Sequence, residues 1–176
     1  MPLGTSASHS KQGRTTSKTR SAAKTQAKQQ DAIKLLMADH DEVEDLFKQF
    51  QKAKNDGSQK AEIVEQICKA LTVHAAIEEE IFYPAARDAL AEKGEDMLDE
   101  AEVEHASIKS LVEQLQDADP DDELFDAKVK VLCEYVTHHV KEEESEMFPR
   151  IKKTGLDLEG LGAELMELKQ ELMGEG

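Results

Sequence analysis

The chain has 176 residues, a formal net charge of −16, 39% hydrophobic residues, 4% aromatics and no Trp. That length suits one domain with extensions, and the charge disfavours a body built to bind nucleic acid or an anionic membrane. No stretch approaches the ~18 apolar residues of a membrane span, and no charged start leads into an apolar run as in a secretory signal, so a cytoplasmic protein is expected.

Residues 1–29 stand apart as a basic tail. They carry Lys11, Arg14, Lys18, Arg20, Lys24 and Lys28 with no acid, which leaves −22 on residues 31–176. Rich in Ser, Thr, Gln and Ala, the tail has too little apolar surface to offset its ordering entropy and is expected to be disordered. The plain expectation is a solvated segment. Weak nucleic-acid contact through residues 1–28 and an organelle transit peptide are the alternatives, the second opposed by the lack of bulky apolars for an amphipathic helix.

Beyond the tail, apolar residues recur at spacings of three and four. Helix 1 is predicted over about 30–54, with Ile33, Leu36, His40, Val43, Phe47 and Phe50 on one face. Asn55-Asp56-Gly57-Ser58 reads as a turn, with Ser58 a candidate N-cap. Helix 2 is predicted over about 59–91, kinked at Pro84 where a ring replaces a backbone donor. Helix 3 spans about 95–117. Asp119-Pro120 is expected to start helix 4, which runs to about 153 with a matching interruption at Pro149. An amphipathic helix over about 158–173 is expected to cover the bundle. These lengths and short turns predict an all-α, antiparallel up-down-up-down four-helix bundle over 30–155, with 156–176 as an added C-terminal helix.

The second half repeats the first at an offset of 65 residues, without a gap, across 40–84 and 105–149. Thirteen pairs are identical, among them His40/His105, Cys68/Cys133, His74/His139, Glu78/Glu143, Glu79/Glu144 and Pro84/Pro149. Ordinary composition would give roughly three. Helix rise brings His40 and His74 back to one level across their turn, and does the same for His105 and His139.

His and Glu four apart lie on one helix face. Four His and two Glu converging on the bundle axis make a carboxylate–imidazole site suited to iron, manganese or zinc. Six polar residues on apolar faces would be costly to bury without a cation. With two His per metal and both Glu shared, two metals would each have about four protein ligands and open positions for a small molecule. His138 lies ~100° round from His139 and is expected at the surface or supporting a ligand. The same holds for Glu79 and Glu144, with Glu144 an alternative ligand to Glu143 if helix 4 is distorted. Cys68 and Cys133 read as small buried thiols, because no CxxC spacing supports a thiolate site.

With its His-x3-Glu motifs, His74–Glu78 and His139–Glu143, each followed by an aromatic-Pro pair, the chain resembles the hemerythrin family and its HHE cation-binding domains. The resemblance covers about 30–155. It implies a non-haem di-iron centre, two iron ions with an oxo or hydroxo bridge, held by His40, His74, Glu78, His105, His139 and Glu143. Oxygen carriers of that family place two His one turn apart on helix 3, where this chain has Ala101 and Lys109 around His105. They also place the helix 4 acid where this chain has Glu144. The resemblance therefore implies binding of O2 or NO, or iron handling, rather than reversible carriage. A di-iron enzyme is the alternative (oxidase, peroxidase, catalase-like, or an iron donor in cluster repair), and an interaction protein using the basic tail is a third.

Overall fold

The computed structural model describes residues 30–53 and 57–174, so the tail and the first half of the first predicted turn, Asn55-Asp56, lie outside the described residues. Helices run α1 Ala32–Ala53, α2 Gly57–Ile77, α3 Tyr83–Leu90, α4 Glu95–Gln116, α5 Phe125–Glu142, α6 Phe148–Ile151 and α7 Leu158–Gly174. No strand occurs among the described residues. The Asp31 carboxylate caps α1 by accepting from the Lys34 amide at 3.0 Å, and Asp157 does the same for α7 through Gly160.

The four long elements form the expected bundle, with α1 against α2, α4 against α5, and α2 against α4. α3 continues α2, and α6 continues α5. α7 lies on α1 and α2. Its Gly162 sits so close to the backbone of Gln30–Ala32 that a Cβ there would collide with main-chain atoms.

Both expected interruptions are π turns. Glu78–Phe82 joins α2 to α3, and Glu143–Met147 joins α5 to α6. The amide of Tyr83 donates to the Glu78 carbonyl, and that of Phe148 to the Glu143 carbonyl, each five residues back. Pro84 and Pro149 follow at once. A proline cannot supply the usual donor four residues on, and its ring crowds that carbonyl. Widening the preceding turn relieves both problems.

Two boundaries differ from expectation: α2 already includes Gly57, so Ser58 lies within the helix and does not cap it, and helix 4 starts late. Asp119-Pro120 does not open helix 4, because the Asp119 carboxylate accepts from the Asp121 amide and its carbonyl from the Asp122 amide. These local bonds compete with the helix. α5 starts only at Phe125, a fully buried ring that anchors it.

Two apolar clusters fill the bundle. One gathers Val43–Ala53, Ile63–Leu71, Ile108–Leu115 and Phe125–Val136. The other gathers Ala32–Leu36, Ile77–Ala86, Leu98, Met147–Ile151 and the Leu161/Leu165 face of α7. Between them lies a buried polar layer.

Candidate metal centre

That layer is made by His40, His74, Glu78, His105, His139 and Glu143, all six buried, with Glu78 at 0% and Glu143 at 1% exposure. The six residues singled out from the sequence thus come together in space. His40 Nε2 lies 3.2 Å from His74 Nε2, and His105 Nε2 lies 3.0 Å from His139 Nε2. Glu78 Oε2 is 3.1 Å from His74 Nε2 and 3.3 Å from His105 Nε2, so it reaches both pairs. Glu143 Oε2 spans the layer likewise, 3.3 Å from His40 Nε2 and 3.5 Å from His139 Nε2.

Every imidazole has a carboxylate behind it. His40 Nδ1 meets Glu144 Oε1 at 2.9 Å, His105 Nδ1 meets Glu79 Oε1 at 3.0 Å, and His139 Nδ1 meets Glu104 Oε2 at 2.9 Å. His74 Nδ1 faces Asp39 Oδ2 at 3.6 Å, longer than a hydrogen bond. A ring nitrogen aimed at a carboxylate carries the proton and donates it. The Nε2 atoms of His40, His105 and His139 are then left with lone pairs facing the centre, where the four Nε2 atoms meet two by two at 3.0–3.2 Å, while His74 Nδ1 is buried without a hydrogen-bond partner. Glu78 Oε1 and Glu143 Oε2 are buried there without a hydrogen-bond partner. Such a crowd of lone pairs and orphaned oxygens suits a cation at its middle. The residues present therefore fit a metal pair, one at His40, His74, Glu78 and Glu143 and one at Glu78, His105 and His139.

Without metal, protons must serve instead. Burial works against a charged His74, yet the nearby Glu78 and Asp39 carboxylates outweigh it and raise its pKa to about 10. His40 and His105 are raised in the same way, burial being overcome by Glu143 and Glu78 respectively. Burial likewise pushes Glu78 upward, and His74 and His105 hold it well below the usual carboxylate range.

Tyr83 breaks the two-fold symmetry. Its hydroxyl lies 3.0 Å from Glu143 Oε1 and 3.2 Å from His105 Nε2. Phe148, its repeat partner, instead stacks on His40 with ring centroids 6.0 Å apart. Burial and the two carboxylates, Glu78 and Glu143, push the phenol well above its usual range, so it stays a donor.

Among the weaker sequence candidates, Glu79 and Glu144 sit behind imidazoles, and His138 is 60% exposed on its side chain. Ala101 is buried in the core, and Lys109 clamps both oxygens of Glu79 at 2.8 Å. Both cysteines are free, Cys68 buried and Cys133 half-buried. Sequence reasoning missed Asp39, Glu104 and Tyr83. An acid directly precedes both His40 and His105, so extending the repeat by one residue would have found the first two.

On the side of the first cluster, a cavity of about 20 Å³ opens between the four imidazoles and Val43, Leu71, Ile108 and Val136. It has room for about one water-sized molecule.

The family profile described as hemerythrin HHE cation-binding domain matches residues 31–151. The chain is 37% identical over 123 residues to a protein of Nostoc sp. (strain PCC 7120) named DNA nickase, covering 70% of this chain. It spans only 33% of that relative's length. In fold it is similar to a hemerythrin HHE cation-binding domain-containing protein from Mycobacterium kansasii, with a TM-score of 0.70, 20% identity, and coverage of 83% of this chain and 89% of the other.

Proposed function

Because the chain belongs to the hemerythrin HHE cation-binding domain family, we propose that its buried layer holds two iron ions and binds O2 or NO, or handles iron. The observation that carries this reading is the inward crowding of four Nε2 atoms and two shared carboxylates, each imidazole backed by an acid. Bound there, iron would supply one-electron redox change and open coordination positions for a small ligand. The protein's own residues do the rest. The outer carboxylates Glu144, Glu79 and Glu104 fix the rings of His40, His105 and His139 and make them stronger donors. Glu78 and Glu143 tie the two halves together. Tyr83 holds a proton within reach of Glu143 Oε1, where it can brace that carboxylate. The cavity beside the imidazoles, with room for about one water-sized molecule, favours a very small ligand over an organic substrate.

Metal analysis with absorption spectra, taken without and then with O2 or NO, tests the proposal. Two irons per chain and a ligand-dependent spectrum are expected. A loaded protein whose spectrum ignores both gases refutes gas binding. Glu78→Ala should lose both metals, since the residue reaches both imidazole pairs; full retention would refute the shared role.

A second reading, metal-dependent cutting of one DNA strand, is favoured by the name of the Nostoc relative. The acidic body opposes DNA, so contact would fall to the basic residues 11–28 and weaken steeply with salt. Conversion of supercoiled plasmid to open circles that stops on metal removal would support it. No metal-dependent conversion even at low salt would dispose of it for this chain.

A further inference from the structure

The two halves treat their outer carboxylates differently. Asp39 turns Oδ2 toward His74 and Oδ1 toward Lys169 of α7, so the acid behind that imidazole has a full positive charge against it. The lysine lies in a cleft between α1 and α2 whose walls include Asp39, Glu42, Ala70 and Val73. Their repeat partners, 65 residues on, are Glu104, Ser107, Tyr135 and His138, and these line an open cleft of about 190 Å³ between α4 and α5. Among the described residues, none of α7 lines this second cleft. Here Glu104 Oε2 holds His139 Nδ1 at 2.9 Å, while Oε1 faces outward to His138 Nε2 at 3.3 Å. Glu142, one turn after His138, brings Oε1 to 3.4 Å from the same nitrogen. At the matching positions the other half has Val73 and Ile77, both buried. Where the other half has two apolar residues, this half therefore carries a second His-x3-Glu pair, set one residue out of step with the buried one and facing outward.

We propose that this cleft is a third cation site, taking one divalent transition metal on Glu104 Oε1, His138 Nε2 and Glu142 Oε1, in the place that Lys169 fills beside Asp39. The three donors lie within 4.8 Å of one another. The two carboxylate–imidazole separations match the roughly 3.3–3.5 Å between ligands of a tetrahedral ion with bonds of about 2.0–2.2 Å. Two carboxylates cancel a dication's charge, and one imidazole selects zinc, iron(II) or manganese over calcium. Three protein donors leave a position for water, so the ion exchanges with solvent. Through Glu104 the outer ion shares a ligand residue with the ring support of His139. The site stands on its own residues and does not require iron in the buried layer.

The test is a titration of the full-length, iron-loaded protein with Zn2+, followed calorimetrically, with elemental analysis before and after. Wild type should bind one saturable equivalent of Zn2+ beyond its buried metals. His138→Ala and Glu142→Gln should each weaken that equivalent at least tenfold while leaving the iron content unchanged. If the buried layer takes no iron, Zn2+ will fill it in wild type and variants alike, and the difference of one equivalent remains readable. Zn2+ binding of equal affinity in wild type and both variants overturns the proposal, as does the absence of any saturable equivalent beyond the buried layer.

Discussion

Glu143 and Glu144 are adjacent, both acidic, and differ completely in what they face. Glu143 is buried, with Oε2 3.3 Å from His40 Nε2 and 3.5 Å from His139 Nε2. Glu144 is about one third exposed and meets His40 from behind, Oε1 to Nδ1 at 2.9 Å. Both stand at the start of the π turn, and neighbours on a helix point roughly 100° apart, so one acid faces the layer and the next its flank. If the layer holds the two metals proposed, Glu144→Ala should keep both and weaken them, since loss of a carboxylate behind a ligating imidazole costs about 10–100-fold in affinity. That corresponds to about 1.4–2.8 kcal/mol. Glu144→Gln, which keeps an acceptor oxygen and loses the charge, should fall between wild type and Glu144→Ala. Glu143→Ala removes the carboxylate that reaches both imidazole pairs and, on the proposed reading, should abolish binding of at least one metal. Competition against a chromophoric chelator, with elemental analysis of each purified variant, separates these outcomes. If Glu144→Ala lost one metal outright and Glu143→Ala did not, the inward and outward roles would be reversed and the reasoning refuted.

Three further outcomes follow from the same geometry. In the metal-free protein the His74 pKa is raised to about 10 from an ordinary 6.5, so its contribution to stability is complete below about 6.5 and lost as pH climbs toward 10; a melting temperature of the metal-free protein that stayed flat or rose across that window would contradict it. Tyr83→Phe copies the Phe148 arrangement and removes a buried donor to Glu143, and it should lower metal-free stability by about 1–3 kcal/mol in denaturant titration, whereas an unchanged midpoint would show the hydroxyl idle. Gly162→Ala forces α7 away from the start of α1 and should cost about 1–3 kcal/mol, read as a lower thermal midpoint by circular dichroism; an unaltered midpoint would mean that α7 shifts freely.

Much of this was readable from the chain because each signal had a strong physical cause. Histidines on apolar faces, matched at a fixed offset, forced a common layer, and helix rise set its level. What escaped depended on orientation rather than spacing. Tyr83 read only as the residue before a proline, and it is the widened turn that swings its hydroxyl onto Glu143. Glu79 and Glu144 repeat faithfully, yet a repeat cannot say whether an acid faces the metal or the back of a ring. The late start of α5 came from a side-chain bond at Asp119 that competes with a helix otherwise well signalled by Pro120. Lys169 gave no hint of its place beside Asp39, because amphipathic periodicity places α7 on the bundle without saying which polar residue lands where.

The offset of 65 residues carries a last implication. One helical hairpin supplies two His and one Glu, and its imidazoles are backed partly by acids from the other hairpin: Glu144 stands behind His40, and Glu79 behind His105. A lone hairpin therefore holds half a site with one of its two imidazole supports missing, and could complete the layer by pairing with a copy of itself about a two-fold axis. The places where the two halves differ, Tyr83 against Phe148, His138 against Val73, and the packing of α7 on α1 and α2, give the pseudo-symmetric layer a front and a back.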